Sequence, residues 1–218
     1  MQINPHNRNQ TLLFDYNYLK LPIMFEKGPM ILEYLDTLYG VIQKSLSAHK
    51  RVCAMRFDLR FPLSMGYDAE NFSNEAISRF IESLKAKIRH DRTRARLERP
   101  YAHDTDIRYV WARELSREDR VHYHVALLVN RDAYFTLGRF KSSEQNMAGR
   151  IIEAWASALR LTLEQAEGLV HFPDNAVYRF ELEEPQQLQA FFHRASYLCK
   201  LNSKQFGNGH HGFGASRH

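Results

Sequence analysis

"RVHYHVALLVN", residues 120–130, decides how this chain is read. Val121, Tyr123, Val125, Leu127 and Val129 are apolar and alternate with positions that begin with His122 and His124. Strand side chains point to opposite faces with period two, so one face of this strand is pure core. The other face carries two imidazoles side by side. Residues i and i+2 of a strand lie roughly 6–7 Å apart at Cα. Two imidazoles at that spacing can converge on one metal ion, at about 2.0–2.1 Å from each nitrogen if the ion is zinc. The competing reading is two ordinary polar side chains on a half-exposed sheet.

The neighbouring segments sharpen the choice. "DIRYVWARELS" reads as a strand over about 106–115, and the polar "RED" at 117–119 makes a short turn into the histidine strand. The two form a hairpin. In the register that sets Glu114 opposite His122, its carboxylate joins the imidazoles on one face, and a slip of one residue turns it away. Asp58 is the next candidate ligand. Two histidines and a carboxylate with open positions suit several divalent metals.

Further upstream, "RVCAMRFDLRFP" (51–62) alternates Cys53, Met55, Phe57, Leu59 and Phe61 with Val52, Ala54, Arg56, Asp58 and Arg60. It is predicted as a strand with one apolar face, and the charges on its other face as solvent-side residues. A long helix follows over "NFSNEAISRFIESLKAKIRHDRTRAR" (71–96), with Ile77, Phe80, Leu84 and Ile88 as its stripe. Another helix is expected from about Pro29 to His49. Residues 1–27 read as an extended arm. Ser142 and Gln145 have capping-box spacing ahead of a helix through Trp155. "GLVHFPDNAVYRFEL" (168–182) reads as short strands turning at "PDN", and Pro185 opens a last helix to about Leu201. From 51 to 181 the order is strand, helix, strand, strand, helix, strand. That order predicts an α+β, ferredoxin-like split βαβ fold, with an antiparallel sheet covered by helices on one face. Residues 1–50 are read as an N-terminal arm and helix, and 51–218 as the main domain.

The last helix bears on the chemistry. On a 100° wheel Leu188, Phe191, Phe192, Ala195, Leu198 and Cys199 form a buried stripe. Tyr197 falls opposite it, on a basic face with His193, Arg194, Lys200 and Lys204. A tyrosine held off the core beside a lysine at i+3 can act as a nucleophile on a phosphate. Its phenol has a pKa near 10, and a cationic neighbour favours the phenolate. A lone tyrosine is more commonly a solvent-edge aromatic; the combination with paired histidines is what points to a site.

Composition bounds the rest. The chain has 218 residues, 30 basic against 25 acidic, and a net charge of +5. No acidic residue occurs from Pro185 to His218, and a second basic run spans 79–99. Such patches attract polyanions, nucleic acid above all, although a solvated helix face is the commoner cause. Arg194, Lys204, Arg56 and Arg217 are the expected DNA contacts. Cys53 and Cys199 make no disulfide framework, the N-terminus lacks the apolar core of a signal peptide, and no apolar run near the histidines spans a bilayer. A cytoplasmic protein without a membrane partner is expected. His210 and His211, in the glycine-rich tail, are read as flexible.

"HYHV" with a downstream "YLCK" resembles the HUH endonucleases, which nick single-stranded DNA through a tyrosine. "RFDLRFP", "RYVWARE", "HYHVALLVNRDAYFTLG", "AWASAL", "GLVHFPDNAVYR", "SYLCK" and "FGASR" resemble the YagK/YfjJ-type inovirus replication proteins of bacteriophages and prophages. The resemblance implies a rolling-circle replication initiator in the cytoplasm of a bacterial host. His122 and His124 match its histidine pair, Tyr197 its nucleophile, Lys200 the lysine of the tyrosine motif and Glu114 the acidic ligand. It implies Mg²⁺ or Mn²⁺ as cofactor, and single-stranded or hairpin DNA at a replication origin as partner, with a host helicase as a further candidate. In relaxases the nucleophile lies near the N-terminus, which makes Tyr16 and Tyr18 the alternatives. A non-catalytic DNA-binding regulator of a prophage, using the same fold, is the competing function. A zinc hydrolase is a third, disfavoured by the tyrosine–lysine helix.

Overall fold

The computed structural model describes residues 2–65, 73–116, 118–140 and 145–217. An arm leads in, with β1 (Gln2–Asn4), β2 (Asn7–Leu13), β3 (Asn17–Tyr18), β4 (Leu21–Pro22) and β5 (Met30–Ile31), followed by α1 (Leu32–Ala48). The main body then runs β6 (Arg51–Arg60), α2 (Glu75–Glu98), β7 (Arg108–Leu115), β8 (Val121–Asn130), α3 (Met147–Leu159), β9 (Val170–His171), β10 (Val177–Glu181), α4 (Pro185–Ser196) and β11 (Phe213–Ala215). The central sheet has the order β10-β6-β8-β7-β11, with β9 also on β6, and all its pairings are antiparallel. The fold is mixed α and β, as expected. No described helix is long and apolar enough to cross a membrane.

Helices cover both faces of the sheet, not one. On the first face Met55, Phe57 and Leu59 of β6 and Tyr123, Val125 and Leu127 of β8 pack against Ile77, Phe80 and Leu84 of α2 and Trp155 of α3. On the second, Val52, Ala54, Ala112, Ala126 and Leu128 meet Leu35, Leu38 and Ile42 of α1, Phe191 and Phe192 of α4, and Leu198 just beyond it. Small side chains at Ala54, Ala112 and Ala126 let the second helical layer sit close. The alternation of β6 and β8 is therefore apolar against apolar at one end, and apolar against polar only at the end that holds Arg56, Asp58, His122 and His124.

Three other expectations change. "PDN" does not reverse the chain: β9 and β10 both run antiparallel to β6, at Asp58–Leu59 and Arg51–Met55, so the segment between them interrupts one edge strand. Residues 1–27 are not simply extended: β1, β2 and β5 form a small sheet, and Tyr18, Ile23 and Met24 are buried in the second core. The last helix stops at Ser196, where a 3₁₀ turn, Tyr197–Cys199, takes over. Ser196 Oγ donates to His193 O at 2.7 Å and accepts from Met24 N at 2.9 Å, which ties the helix end to the arm. Ser142 lies outside the described residues; the N-cap of α3 is Asn146, whose side chain accepts from Gly149 N at 2.9 Å.

Candidate metal centre and its tyrosine

Of the two registers open to the hairpin, β7 and β8 take the one in which Glu114 pairs with His122. On the other side of β8, Asp58 of β6 pairs with His124. Three adjacent antiparallel strands thus present Glu114, His122, His124 and Asp58 to the face on which α4 ends. Ligand atoms of Glu114, His122 and His124 all lie within 4.8 Å of one another, so these three form a group able to hold a metal ion. Glu114 and His124 are buried, at 3% and 6% exposure.

Hydrogen bonding tests whether an ion fits. His124 Nδ1 is 2.7 Å from Asp58 Oδ1, and His122 Nδ1 is 3.3 Å from the Arg120 carbonyl oxygen. Both partners are acceptors, so each Nδ1 carries a hydrogen, and in the neutral rings each Nε2 is left with a lone pair. Those Nε2 atoms face each other across 3.1 Å. Two lone pairs at that distance repel, and a cation shared between them removes the conflict. Charging His122 instead is opposed by its burial, which pushes its pKa down to about 4. Asp58 therefore stands outside the converging group. It orients His124 from behind, as a carboxylate commonly does for a metal-binding imidazole. Burial pushes the Asp58 carboxyl up, but the hydrogen bond to His124 and the Arg56 charge outweigh it and hold it well below the usual range.

Glu114 is the crowded member. Lys200 pairs with its Oε2, which also accepts from Ser203 Oγ at 2.7 Å, and Lys204 Nζ lies 2.5 Å from Oε1. Burial pushes its carboxyl up, yet the two ammonium charges of Lys204 and Lys200 more than reverse the effect. With both imidazoles neutral, Asp58 and Glu114 face Arg56, Lys200 and Lys204, a surplus of one positive charge among largely buried groups.

Tyr197 completes the cluster. Its ring meets the His124 ring edge-on, with centroids 5.1 Å apart. In a 3₁₀ turn residues i and i+3 eclipse, which puts Lys200 Nζ 3.6 Å from the centre of the Tyr197 ring. The expected help to the phenolate is absent. Lys200 lies over the ring face and is tied to Glu114, while burial and then the Glu114 charge raise the Tyr197 pKa. The wheel also misplaces the basic face: the Lys200 and Lys204 side chains are buried, not solvent-facing, because the chain leaves α-helical geometry at Tyr197. Arg56 is likewise buried, paired with Asp58. Arg194 is half-buried and Arg217 exposed. His210 and His211 stand apart from the three ligands, with His211 N bonded to Asn74. Tyr18 is buried, its hydroxyl on Asp36 and its ring stacked on Phe192, and Tyr16 packs edge-on to Phe25. Ser203, which holds Glu114 from a left-handed backbone (φ 66°), was not anticipated. Nothing in its local sequence marks it.

Residues 15–216 match the YagK/YfjJ C-terminal domain family. The chain is 38% identical over 198 residues to the uncharacterized protein YagK of Escherichia coli strain K12, covering 87% of this chain and 95% of that protein. It is 32% identical over 206 residues to the uncharacterized protein YfjJ of the same strain, covering 88% and 97%. No solved structure matches. A match across nearly the whole chain, including the strand pair and the turn that build the cluster, places this protein in the YagK/YfjJ C-terminal domain family.

Proposed function

We propose that this protein is a metal-dependent endonuclease that nicks and rejoins single-stranded DNA through Tyr197, as an HUH-type initiator of rolling-circle replication of a phage or related mobile element. The sheet, in which the fourth main strand, β10, flanks the first, β6, and the third, β8, lies between the first and the second, β7, supports the ferredoxin-like reading of the fold. One observation carries the proposal. Two imidazole nitrogens with their other nitrogens already committed converge 3.1 Å apart, with a tyrosine ring against one of them.

In this reading the Tyr197 hydroxyl oxygen attacks a DNA phosphorus. The bond from phosphorus to the 3′ oxygen breaks, leaving a 5′-phosphotyrosine and a free 3′ hydroxyl, and the phenol proton is made up on the leaving oxygen. Rejoining reverses these steps, so no nucleotide cofactor is needed. Mg²⁺ or Mn²⁺ held by His122, His124 and Glu114 supplies charge to the phosphoryl oxygens. Asp58 fixes the His124 tautomer, with Arg56 as its counter-charge. Lys200 and Lys204 neutralise Glu114 and leave the surplus positive charge that a phosphodiester meets. Burial keeps the phenol protonated at rest, so it ionises only as the bond forms. The partner is single-stranded or hairpin origin DNA, in the cytoplasm of a bacterial host.

A second reading has its own support. Glu114 is already saturated by two lysines and a serine, a state that needs no metal. A DNA-binding regulator with this fold and no chemistry would look the same. Incubation with single-stranded oligonucleotides and Mn²⁺, followed by denaturing electrophoresis, separates the two. The nuclease gives a protein–DNA adduct that chelator abolishes; the regulator binds and gives none.

A further inference from the structure

The basic run of α2 makes a second surface. Residues 85–99 hold seven basic and two acidic side chains, a surplus as large as the +5 of the whole chain. Lys85, Arg89, Arg92 and Arg96 recur three or four residues apart and share one face of the helix. At ~1.5 Å per residue that row is about 16 Å long. It forms one wall of two adjoining clefts of about 560 and 290 Å³, which share Lys85, Asp106 and Ile107. Arg108 and Tyr109 of β7 and the segment Ala215–Arg217 form the facing wall. Lys44 Nζ holds the Arg217 carbonyl at 2.8 Å, which anchors that wall.

Within the row Arg92 is held by Asp91 at 2.6 Å with both side chains largely buried, and the other ion pairs are looser. Lys85, half-buried, pairs with the exposed Glu82 at 3.0 Å, and Arg96 with the exposed Asp104. Partly exposed pairs of this kind contribute little, so both cations are free to exchange onto another anion. Arg89 has no carboxylate partner among the described residues. The cations converge from both walls on a concave channel. That geometry suits an elongated polyanion rather than a flat anionic membrane, which calls for a convex face with projecting apolar side chains.

We infer that this groove binds the phosphate backbone of nucleic acid away from the metal cluster. The inference rests on the DNA reading proposed above and adds a second contact surface to it. Arg108 and Glu114 lie at opposite ends of β7, six residues apart, so the groove is roughly 20 Å from the cluster. That distance corresponds to about six base-pair steps at ~3.4 Å each. A short strand that fills the cluster ends before the groove, and a longer hairpin substrate reaches it.

The test uses the full chain with Lys85→Gln, Arg89→Gln and Arg96→Gln combined. Binding of a fluorescent four-nucleotide strand and of a hairpin with a single-stranded extension is followed across salt concentrations. Neutralising Z phosphate contacts gives a salt slope of about −0.9Z. The variant is expected to bind the hairpin at least tenfold more weakly at low salt, with a slope shallower by about two to three. The short strand should change less than twofold. Arg89→Lys with Arg96→Lys should keep the wild-type slope, which controls for lost packing. Unchanged hairpin binding and slope overturn the inference, as does an equal loss on both DNAs. Lost binding to phosphatidylserine vesicles with DNA binding intact also overturns it. A hairpin-specific loss in the variant, with no covalent adduct formed by the wild-type protein, keeps the groove and removes the nuclease.

Discussion

Asp58→Asn should separate metal binding from folding. The substitution keeps the shape of the side chain and removes its charge. In the native protein Asp58 can only accept, so His124 Nδ1 at 2.7 Å must donate and Nε2 faces His122 with a lone pair. An asparagine offers an amide donor as readily as an acceptor, and the imidazole is then free to carry its hydrogen on Nε2. Loss of such an orienting partner typically costs ten- to a hundredfold in metal affinity, or about 1.4–2.7 kcal/mol. The same change strips the counter-charge from Arg56, whose side chain is 6% exposed. Breaking a buried pair from one side costs about 3–5 kcal/mol of stability. Arg56→Met together with Asp58→Asn removes both charges and should recover most of that stability while metal affinity stays low. Mn²⁺ titration calorimetry and urea unfolding read the two quantities independently. If the double variant regained both, Asp58 would act only through the fold. If the single variant bound Mn²⁺ as tightly as wild type, the tautomer reasoning would be wrong.

Lys200→Met should raise Mn²⁺ affinity at least tenfold in the absence of DNA, because it removes an ammonium paired with the Glu114 oxygen that lies 3.4 Å from His124 Nε2; unchanged or weaker binding in calorimetry refutes this. Asp91 has its pKa lowered: burial raises it, but hydrogen bonds from Tyr134 and Arg92 and the charge of Arg150 outweigh burial. A carboxyl lowered in the folded state stabilises above its unfolded pKa, near 3.9, and loses that contribution as pH falls through its folded value. Urea midpoints of the wild type should therefore drop more steeply than those of Asp91→Asn below about pH 4, and parallel curves count against the network. Gly214→Ala places a Cβ 2.5 Å from the Trp111 ring, so it should destabilise by about 1–3 kcal/mol in urea unfolding and expose the 205–212 tail to protease.

Much of the site was legible because its contacts are local. The hairpin itself was legible, but its register was open between two pairings, and the Glu114–His122 pairing is the one the structure takes. The histidine alternation placed both imidazoles on one face without any tertiary information. The pairing of Asp58 with His124 joins strands 66 residues apart, and no turn sets that register, so its role as an orienting group rather than a ligand was hidden. The second helical layer was hidden for a related reason. Ala54, Ala112 and Ala126 look neutral in an alternation, and they acquire meaning only when α1 and α4 need close approach. Lys200 and Lys204 were misread because a helical wheel assumes 100° per residue beyond Ser196, where the chain has already tightened into a 3₁₀ turn. A long lysine side chain aimed at solvent on the wheel is, in the structure, the buried partner of a carboxylate.

The measurement closest to the central claim is mass spectrometry of the protein after reaction with a single-stranded oligonucleotide and Mn²⁺. A nucleotide attached through a 5′ phosphate to the peptide that contains Tyr197, absent when chelator replaces the metal and absent in Tyr197→Phe, is the predicted result. Attachment to Tyr16 or Tyr18, or tight DNA binding with no attachment to any peptide, would contradict it.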